Sequence, residues 1–149
     1  MIRHITFSSL FIEIKKAGCL RPSGLNLLNG TGKNFVAFEK NWQSDAYFKA
    51  IFISKLSTPE FTFSPTDLIA LLFDEHDLLI KGYQIDEGSD SEKSSHRSQL
   101  KSMVLRNELS EKEYEQIGKF VYIKDEILLD YLIDVDIPDK KRLTQLGLI

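Results

Sequence analysis

The stretch that decides the fold is RHITFSSLFIEIKKAGCLRP, residues 3–22. Its first residues are typical of a short strand, and Ser8 or Ser9 follows where a helix needs an N-cap. Apolar residues then recur at helical spacing, and Gly18 stands where a left-handed C-cap is expected. We therefore predict a strand, then a helix over residues 9–17, then a loop.

His4 and Thr6 are two positions apart, so on a strand both side chains leave the same face of the sheet. Together they offer a ring nitrogen and a hydroxyl, which suit the hydrogen-bonding edge of a sugar or an amide. The N-terminal N–H groups of the following helix favour a nearby anion. These features predict a notch the size of a nucleotide. The structural alternative is that His4 bonds a neighbouring carbonyl and Thr6 caps a turn.

The remainder of the chain predicts short strands and short helices that do not strictly alternate. Strands are predicted at residues 35–40, 46–55, 78–85, 119–124 and 133–138. Helices are predicted at residues 64–73 and 110–118, and residues 139–149 are predicted to be a short helix or a tail. This pattern favours a single α+β domain over residues 1–149, rather than a doubly wound parallel sheet.

Two polar stretches are predicted to be loops. Residues 87–98 contain no large apolar side chain, so burial cannot offset the entropy of ordering them. We predict a mobile polar loop there, with His96 exposed in it. NGTGKN, residues 29–34, lacks the glycine spacing and the Ser or Thr of a phosphate loop, so it is predicted to be a flexible turn.

Composition excludes several classes of protein. The 149 residues are 42% hydrophobic and 28% charged, as in ordinary globular domains. The single cysteine, Cys19, cannot form an internal disulfide, and no Cys/His cluster predicts a metal site. No apolar run approaches the ~20 residues of a membrane span, and the N-terminus lacks a signal-peptide pattern. We predict a cytoplasmic protein with no membrane association and no bound metal.

Charge is unevenly distributed along the chain. Residues 1–58 carry a net charge of +5 and residues 59–149 a net charge of −8. The basic part is suited to line an anion-binding cleft, and the alternative is that the two parts attract each other in the fold.

Asp134 and Asp136 share one face of a predicted strand. They fit the wet side of an edge strand better than a divalent-cation site, which needs more oxygen ligands.

The opening stretch resembles the start of the ADP-ribosyltransferase superfamily, especially its DarT-like and RNA 2′-phosphotransferase-like branches. Those families begin with a strand carrying H-x-T, continue with a helix of spaced Leu and Ile, and then have G-x-L. The resemblance runs from His4 to Pro22. FVYIKDEILLDYLIDVDIP, residues 120–138, is similar to the closing strand, turn and strand of such domains.

The resemblance implies a mixed, split β-sheet that holds NAD in a cleft, and transfer of ADP-ribose to an acceptor. It implies that His4 and Thr6 bind the ribose and amide region of NAD, with Arg21 as a further binding residue. Family enzymes use a glutamate near the start of a late strand. No Glu directly precedes KFVYI, so Glu115, five residues before Phe120, is the predicted catalytic carboxylate. A fixed negative charge is needed there because it stabilises an oxocarbenium-like centre.

Further glutamates are open for that catalytic role, namely Glu108 and Glu113, unless they are ordinary helix-surface residues. Three functions are also open. The first is an NAD-dependent ADP-ribosyltransferase acting on a protein or nucleic acid, such as a toxin or a phage or bacterial conflict factor. The second is a non-enzymatic interaction module on the same fold, of an inhibitor or antitoxin kind. The third is a nucleic-acid-binding protein that uses the basic residues Lys15, Lys16, Arg21 and Lys33.

Overall fold

The computed structural model describes residues 1–22, 35–56, 62–88 and 90–149, with residues 90–95 described by their backbone alone. Its strands are β1 (Ile2–Phe7), β2 (Cys19–Leu20), β3 (Val36–Lys40), β4 (Leu68–Phe73), β5 (Lys119–Ile123), β6 (Ile127–Leu128) and β7 (Asp134–Asp136). Its α-helices are α1 (Ser8–Ala17), α2 (Ala46–Leu56), α3 (Glu75–Ile80), α4 (Asp90–Leu105), α5 (Glu111–Gln116) and α6 (Lys140–Gln145). The predicted turn at residues 29–34 lies outside the described residues.

A five-stranded sheet in the order β5-β3-β1-β4-β7 forms the centre, and β2 pairs with β6 beside it. Every pairing among these strands is antiparallel, where the sequence had led us to expect mixed directions. The predicted α+β class is confirmed. In the described part of the chain, no helix is long and apolar enough to cross a membrane.

Both faces of the sheet are covered by apolar side chains. Because side chains alternate along a strand, each strand contributes to both layers. One layer packs against α2, α4 and α6 and contains Ile5, Phe7, Ala37, Phe48, Leu100 and Leu143. The other packs beneath α1 and the β2–β6 pair and contains Ile2, Leu20, Phe38, Leu71 and Ile127. Burial on both faces makes these strands read as continuous apolar runs.

The sheet is split between β1 and β3. Strand β1 pairs with β4 along its whole length, from Ile2 opposite Phe73 to Phe7 opposite Leu68. With β3 it pairs at only two positions, and the last of them is Arg3 opposite Glu39. Beyond that pair the two strands separate. We call the opening between the second half of β1 and the first half of β3 the split.

Several predicted elements are confirmed. Helix α1 ends at Gly18, whose φ of 75° is left-handed and whose N–H donates to the carbonyl of Ile14 at 2.9 Å. The helix begins directly after the strand, with Phe7 rather than a serine as its N-cap residue and no side-chain cap. The capping box of α5 is present, since Ser110 Oγ accepts from the Glu113 N–H at 3.0 Å.

Three other predicted elements are wrong in type. Residues 46–55 form helix α2 rather than a strand, residues 68–73 form strand β4 rather than a helix, and residues 75–80 form helix α3 where a strand was predicted from residue 78. Apolar side chains surround α2 and cover both faces of β4, so neither segment shows a usable periodicity. The missed start of α3 is Asp74, whose carboxylate accepts from the Asp77 N–H at 3.1 Å.

The predicted polar loop at residues 87–98 is also wrong in structure, because α4 begins at Asp90. The helix continues into Leu100 and Met103, both buried, so apolar contacts of its second half hold its first half in register. His96 was predicted to be exposed and is instead fully buried. Its aromatic ring supplies a buried contact that the polar composition of the segment did not lead us to expect.

Candidate functional site

His4 lies in the split, on the same face as Phe38, which its ring contacts edge-on. Its Nδ1 is 2.9 Å from the carbonyl oxygen of Ala37 on β3, and a carbonyl only accepts, so Nδ1 carries the proton. Burial lowers the pKa of His4, and the charge of Lys55 lowers it further against the opposing effect of the Ala37 bond. The ring is therefore neutral at pH 7, which leaves Nε2 as a hydrogen-bond acceptor.

Thr6 follows on the same face of β1 and is 7% exposed. Its hydroxyl has no partner among the described residues, and it is not fully enclosed by protein atoms. A poorly hydrated hydroxyl gains free energy from any new partner that can reach it. His4 and Thr6 thus lie side by side on one face, as alternation along a strand predicted, and the His4 bond to the Ala37 carbonyl is the contact that the structural alternative predicted. We call this pair the His4–Thr6 face.

Lys55 lies near the end of α2, and its influence on His4 was missed by the sequence analysis. It is partly buried, which lowers its pKa, and its charge acts on His4. Among the described residues it has no carboxylate partner. The sequence feature that could have revealed Lys55 is a lysine in the largely apolar segment 46–55. That segment was predicted to be a strand, so the position of Lys55 was not recognised.

Arg21, the third predicted binding residue, is not brought to this face by any described contact. Its guanidinium is 65% exposed, and Nε is 3.5 Å from Glu126 Oε1 in the turn after β5. The other oxygen of Glu126 lies 3.7 Å from the Cys19 thiol. An exposed pair of this kind contributes little to stability.

Glu115, the predicted catalytic carboxylate, is exposed on α5. The carbonyl of the next residue, Gln116, accepts from the Gln43 N–H at 3.0 Å, which places the end of α5 beside the loop after β3. No contact among the described residues joins Glu115 to His4 or Thr6. The alternatives have structural partners, since Glu113 pairs with Lys49 at 3.1 Å and Glu108 with Arg106 at 2.5 Å.

The opposite face of β1 carries a buried ion pair that the sequence analysis did not identify. Arg3 is 1% exposed, and its Nε donates to Glu39 Oε1 at 2.7 Å. The second oxygen of Glu39 accepts from the Gly118 N–H at 2.8 Å, and Arg3 Nη2 donates to the Ser44 carbonyl at 3.0 Å. We call these groups the Arg3 cluster. The sequence feature that could have revealed this ion pair is one charged residue inside each of two apolar strands, Arg3 in β1 and Glu39 in β3.

A second concave region lies at the start of β5, and we call it the β5 pocket. Its volume is about 310 Å³. Its described lining residues are Lys40, Glu87, Arg97, Lys119, Phe120 and Tyr122. It lies near the end of the sheet where β1 begins, whereas the His4–Thr6 face lies further along β1.

His96 is buried beneath the β5 pocket. Its ring stacks on Phe120 with centroids 3.7 Å apart, Nδ1 is 3.0 Å from the Tyr122 hydroxyl, and Nε2 is 3.5 Å from the Tyr47 hydroxyl. Burial lowers the pKa of His96 to about 3, and the charge of Arg97 acts in the same direction. The ring is therefore neutral and held by two tyrosines.

No protein-family model and no curated protein sequence matches the chain. Among solved structures, it is similar to the DarT of Thermus sp. 2.9 in complex with NAD+, with a TM-score of 0.57 and 11% identity over 98% of this chain and 85% of that one. It also matches protein CC0527 from Caulobacter crescentus, with a TM-score of 0.44 and 12% identity over 99% of this chain and 98% of that one. That second likeness is too distant to carry an argument.

The likeness to DarT shows a similar fold over nearly the whole chain. At 11% identity it does not show a shared activity. The fold is therefore an α+β domain similar to that of DarT, as the opening H-x-T stretch had led us to expect, and its sheet is antiparallel rather than mixed.

Proposed function

We propose that this protein binds NAD in the split between β1 and β3. The observation that carries the proposal is the His4–Thr6 face, whose two polar atoms lack partners among the described residues and lie where the sheet opens. A neutral Nε2 accepts from a ribose hydroxyl, and the Thr6 hydroxyl donates or accepts at an adjacent oxygen. Lys55, partly buried and unpaired in the described part of the chain, supplies a positive charge for the phosphates.

The activity we propose is transfer of ADP-ribose from NAD to a protein or nucleic-acid acceptor. In that reaction the bond between C1′ of the ribose and the nicotinamide nitrogen breaks, and nicotinamide leaves with the electron pair. The acceptor forms the new bond to C1′ and releases a proton to a general base. A carboxylate assists by stabilising positive charge at C1′ and accepting that proton. Glu115 is the residue proposed for this role.

A non-enzymatic NAD-binding or interaction module is the second candidate. The observation that favours it is at the start of β5, where family enzymes place their glutamate and this chain has Lys119 opposite Lys40. No carboxylate of the described residues contacts His4 or Thr6. On this proposal the split binds its ligand, and partner binding replaces the transfer step.

Calorimetric titration with NAD tests the binding proposal. We expect the wild-type protein to bind NAD. His4→Ala should raise the dissociation constant at least about tenfold, because the ribose hydroxyl loses Nε2 as its hydrogen-bond acceptor. His76→Ala is the matched control, since His76 is exposed on α3, outside the split. An unchanged affinity in a folded His4→Ala variant would contradict the proposed site.

Release of nicotinamide separates the two candidate functions. If the protein is a transferase, Glu115→Gln should still bind NAD. Its rate of nicotinamide release should fall at least about a hundredfold, as expected for removal of a catalytic charge. Glu111→Gln, an exposed change on the same helix, is the control. If the wild-type protein binds NAD but releases no nicotinamide with candidate acceptors, the non-enzymatic function is supported instead.

A further inference from the structure

Helices α1 and α3 each leave two large apolar side chains exposed to solvent. None of the ten residues of α1 is buried, and its Leu10 and Ile12 are 41% and 50% exposed. On α3, Leu79 and Ile80 are 49% and 67% exposed. Neighbouring exposed apolar side chains are typical of surfaces that associate with another molecule.

Both helices cover the same face of the sheet. Phe11 and Ile14 of α1 pack against the apolar layer beneath that helix, and Leu78 of α3 is fully buried in the same layer. A helix turns by about 100° per residue, so Ile80, two positions after Leu78, points away from the sheet. The exposed side chains of α1 and α3 therefore face solvent on one side of the molecule.

Helix α1 ends in two lysines. Lys15 and Lys16 occupy its last turn, and its first turn contains no acidic residue. Lys15 has no carboxylate partner among the described residues. Lys16 has Glu13 at 3.4 Å, but both side chains are 70% exposed, so this pair contributes little. The solvent side of α1 is therefore apolar and basic.

Helix α3 is acidic where α1 is basic. Its first turn contains Glu75 and Asp77. Glu75 pairs with Lys40 at 3.4 Å, whereas Asp77 has no cationic partner in the described part of the chain. Lys81, the residue after the helix, lies over the Tyr131 ring at 5.7 Å. The solvent side of α3 is therefore apolar, with one carboxylate left unpaired.

The exposed side chains of the two helices form a self-complementary surface. We call it the α1–α3 face, and it consists of Ile12, Lys15, Lys16, Asp77, Leu79 and Ile80. A two-fold dimer brings the same surface of both chains together. A surface of one charge sign repels its copy, whereas a surface that is basic on one helix and acidic on the other attracts it. Among the described residues, no ion pair joins α1 to α3 within one chain, so both charges are available.

We propose that this protein forms a two-fold symmetric dimer through the α1–α3 face. Helix α1 of each protomer lies on α3 of its partner, so the exposed isoleucines pack together and Lys15 and Lys16 approach Asp77 twice. Two short helices make a small interface, so we expect a monomer–dimer equilibrium with a dissociation constant of about 1–100 μM. The interface uses neither His4 nor Thr6, so it stands whether or not the protein binds NAD.

Sedimentation equilibrium of the full-length protein, from about 1 μM to about 500 μM, tests the proposal. We expect the mass to rise to that of two chains and no further. Lys15→Glu combined with Lys16→Glu should raise the dissociation constant at least about tenfold, because two acidic helices then face each other. Asp77→Lys should have the same effect, because two basic helices then face each other.

An equimolar mixture of these two variants is the decisive measurement. Each variant repels its own copy, but the acidic α1 of one matches the basic α3 of the other. The mixture should therefore form a mixed dimer about as well as the wild-type protein forms its own. Lys101→Glu combined with Lys112→Glu is the matched control, since it makes the same charge change on exposed positions of α4 and α5 and should leave the dimer unchanged.

Ile80→Ser tests the apolar part of the interface and should raise the dissociation constant about threefold or more. Leu105→Ser, at an exposed position at the end of α4, should not change it. The proposal is overturned if the wild-type protein stays a monomer at every concentration or grows beyond two chains. It is also overturned if the charge-reversed variants, each folded by circular dichroism, dimerise as the wild-type protein does or fail to associate when mixed.

Discussion

Arg3 and His4 are neighbours on one strand, yet their surroundings differ. Arg3 is fully buried and has a partner on every side, with Glu39 at 2.7 Å, the Ser44 carbonyl at 3.0 Å and the Trp42 ring at 4.3 Å. His4 points to the opposite face, is only partly buried, and keeps one ring nitrogen without a partner in the described part of the chain.

This difference separates two uses of a buried polar group. When every donor and acceptor is satisfied within the protein, the group stabilises the fold and has nothing left to offer a ligand. When an atom is spare and reachable, the group can gain a partner from outside. Sequence position cannot distinguish the two residues, but their hydrogen bonds can.

The largest expected effect is loss of stability on changing Arg3. Arg3→Met leaves the Glu39 carboxylate buried without its partner, which is expected to cost about 3–5 kcal/mol of the free energy of unfolding. Urea denaturation measures this cost. His4→Ala should cost only about 1 kcal/mol, the usual value of one hydrogen bond. Equal costs for the two variants would show that Arg3 and His4 contribute to the fold in the same way.

Gly118→Ala tests the same cluster from its other end. A Cβ at this position would overlap the Lys40 carbonyl, so the backbone beside the Glu39 hydrogen bond must shift. We expect a loss of about 2–3 kcal/mol, typical of overpacking against main chain. The thermal unfolding midpoint measures it, with Lys112→Ala, an exposed change on the adjoining helix α5, as a comparison. An unfolding midpoint for Gly118→Ala equal to that of the wild-type protein would contradict this prediction. It would show that the backbone moves away from the added Cβ at no cost in stability.

His96 extends the comparison to a buried neutral group. Its folded pKa of about 3 lies below the ordinary value of 6.5, so between these pH values the unfolded chain binds more protons than the folded one. The free energy of unfolding should therefore fall as the pH is lowered, by about 2 kcal/mol from pH 7 to pH 5 for this residue alone. Urea denaturation of wild type and His96→Gln at both pH values isolates that contribution.

In the His96→Gln variant the dependence on pH should be weaker by that amount. His76→Gln serves as the control because His76 is exposed. A variant that loses stability with acid as steeply as the wild-type protein would exclude His96 as the titrating group.

The smallest expected effect on stability comes from Thr6. Thr6→Val removes a hydroxyl that has no partner among the described residues, so stability should change by less than about 0.5 kcal/mol. NAD affinity should fall nonetheless, by about threefold to tenfold, if the hydroxyl contacts the ribose. Paired denaturation and calorimetry measure the two quantities. A large loss of stability with unchanged affinity would assign Thr6 to the structural class with Arg3.

Local signals in the sequence predicted part of the fold correctly. Gly18 ends α1 and Ser110 caps α5, because each acts through backbone atoms a few residues away. The segments 46–55 and 68–73 were assigned the wrong type, because burial on all sides removes the periodicity that separates a helix from a strand. For α4 the determining contacts are tertiary, since the buried position of His96 depends on Tyr47 and Tyr122.

The sequence predicted only the part of the candidate site that lies on a single strand, β1. His4 and Thr6 share a face because alternation along β1 requires it. Lys55 and the β5 pocket could not be predicted, because they depend on how separate elements pack. Arg21 and Glu115 stay predictions as NAD-site residues, since no contact among the described residues joins either of them to His4.

The strand order has a consequence for synthesis of the protein on the ribosome. Strand β1 is made before the other four strands of the sheet, yet it occupies the central position, between β3 and β4. Its partner β4 and the edge strand β7 emerge later, and at roughly 5–20 residues per second the full sheet cannot assemble for several seconds. Until then the apolar side chains of β1 have incomplete cover, so the partly synthesised chain exposes apolar surface that the finished sheet buries.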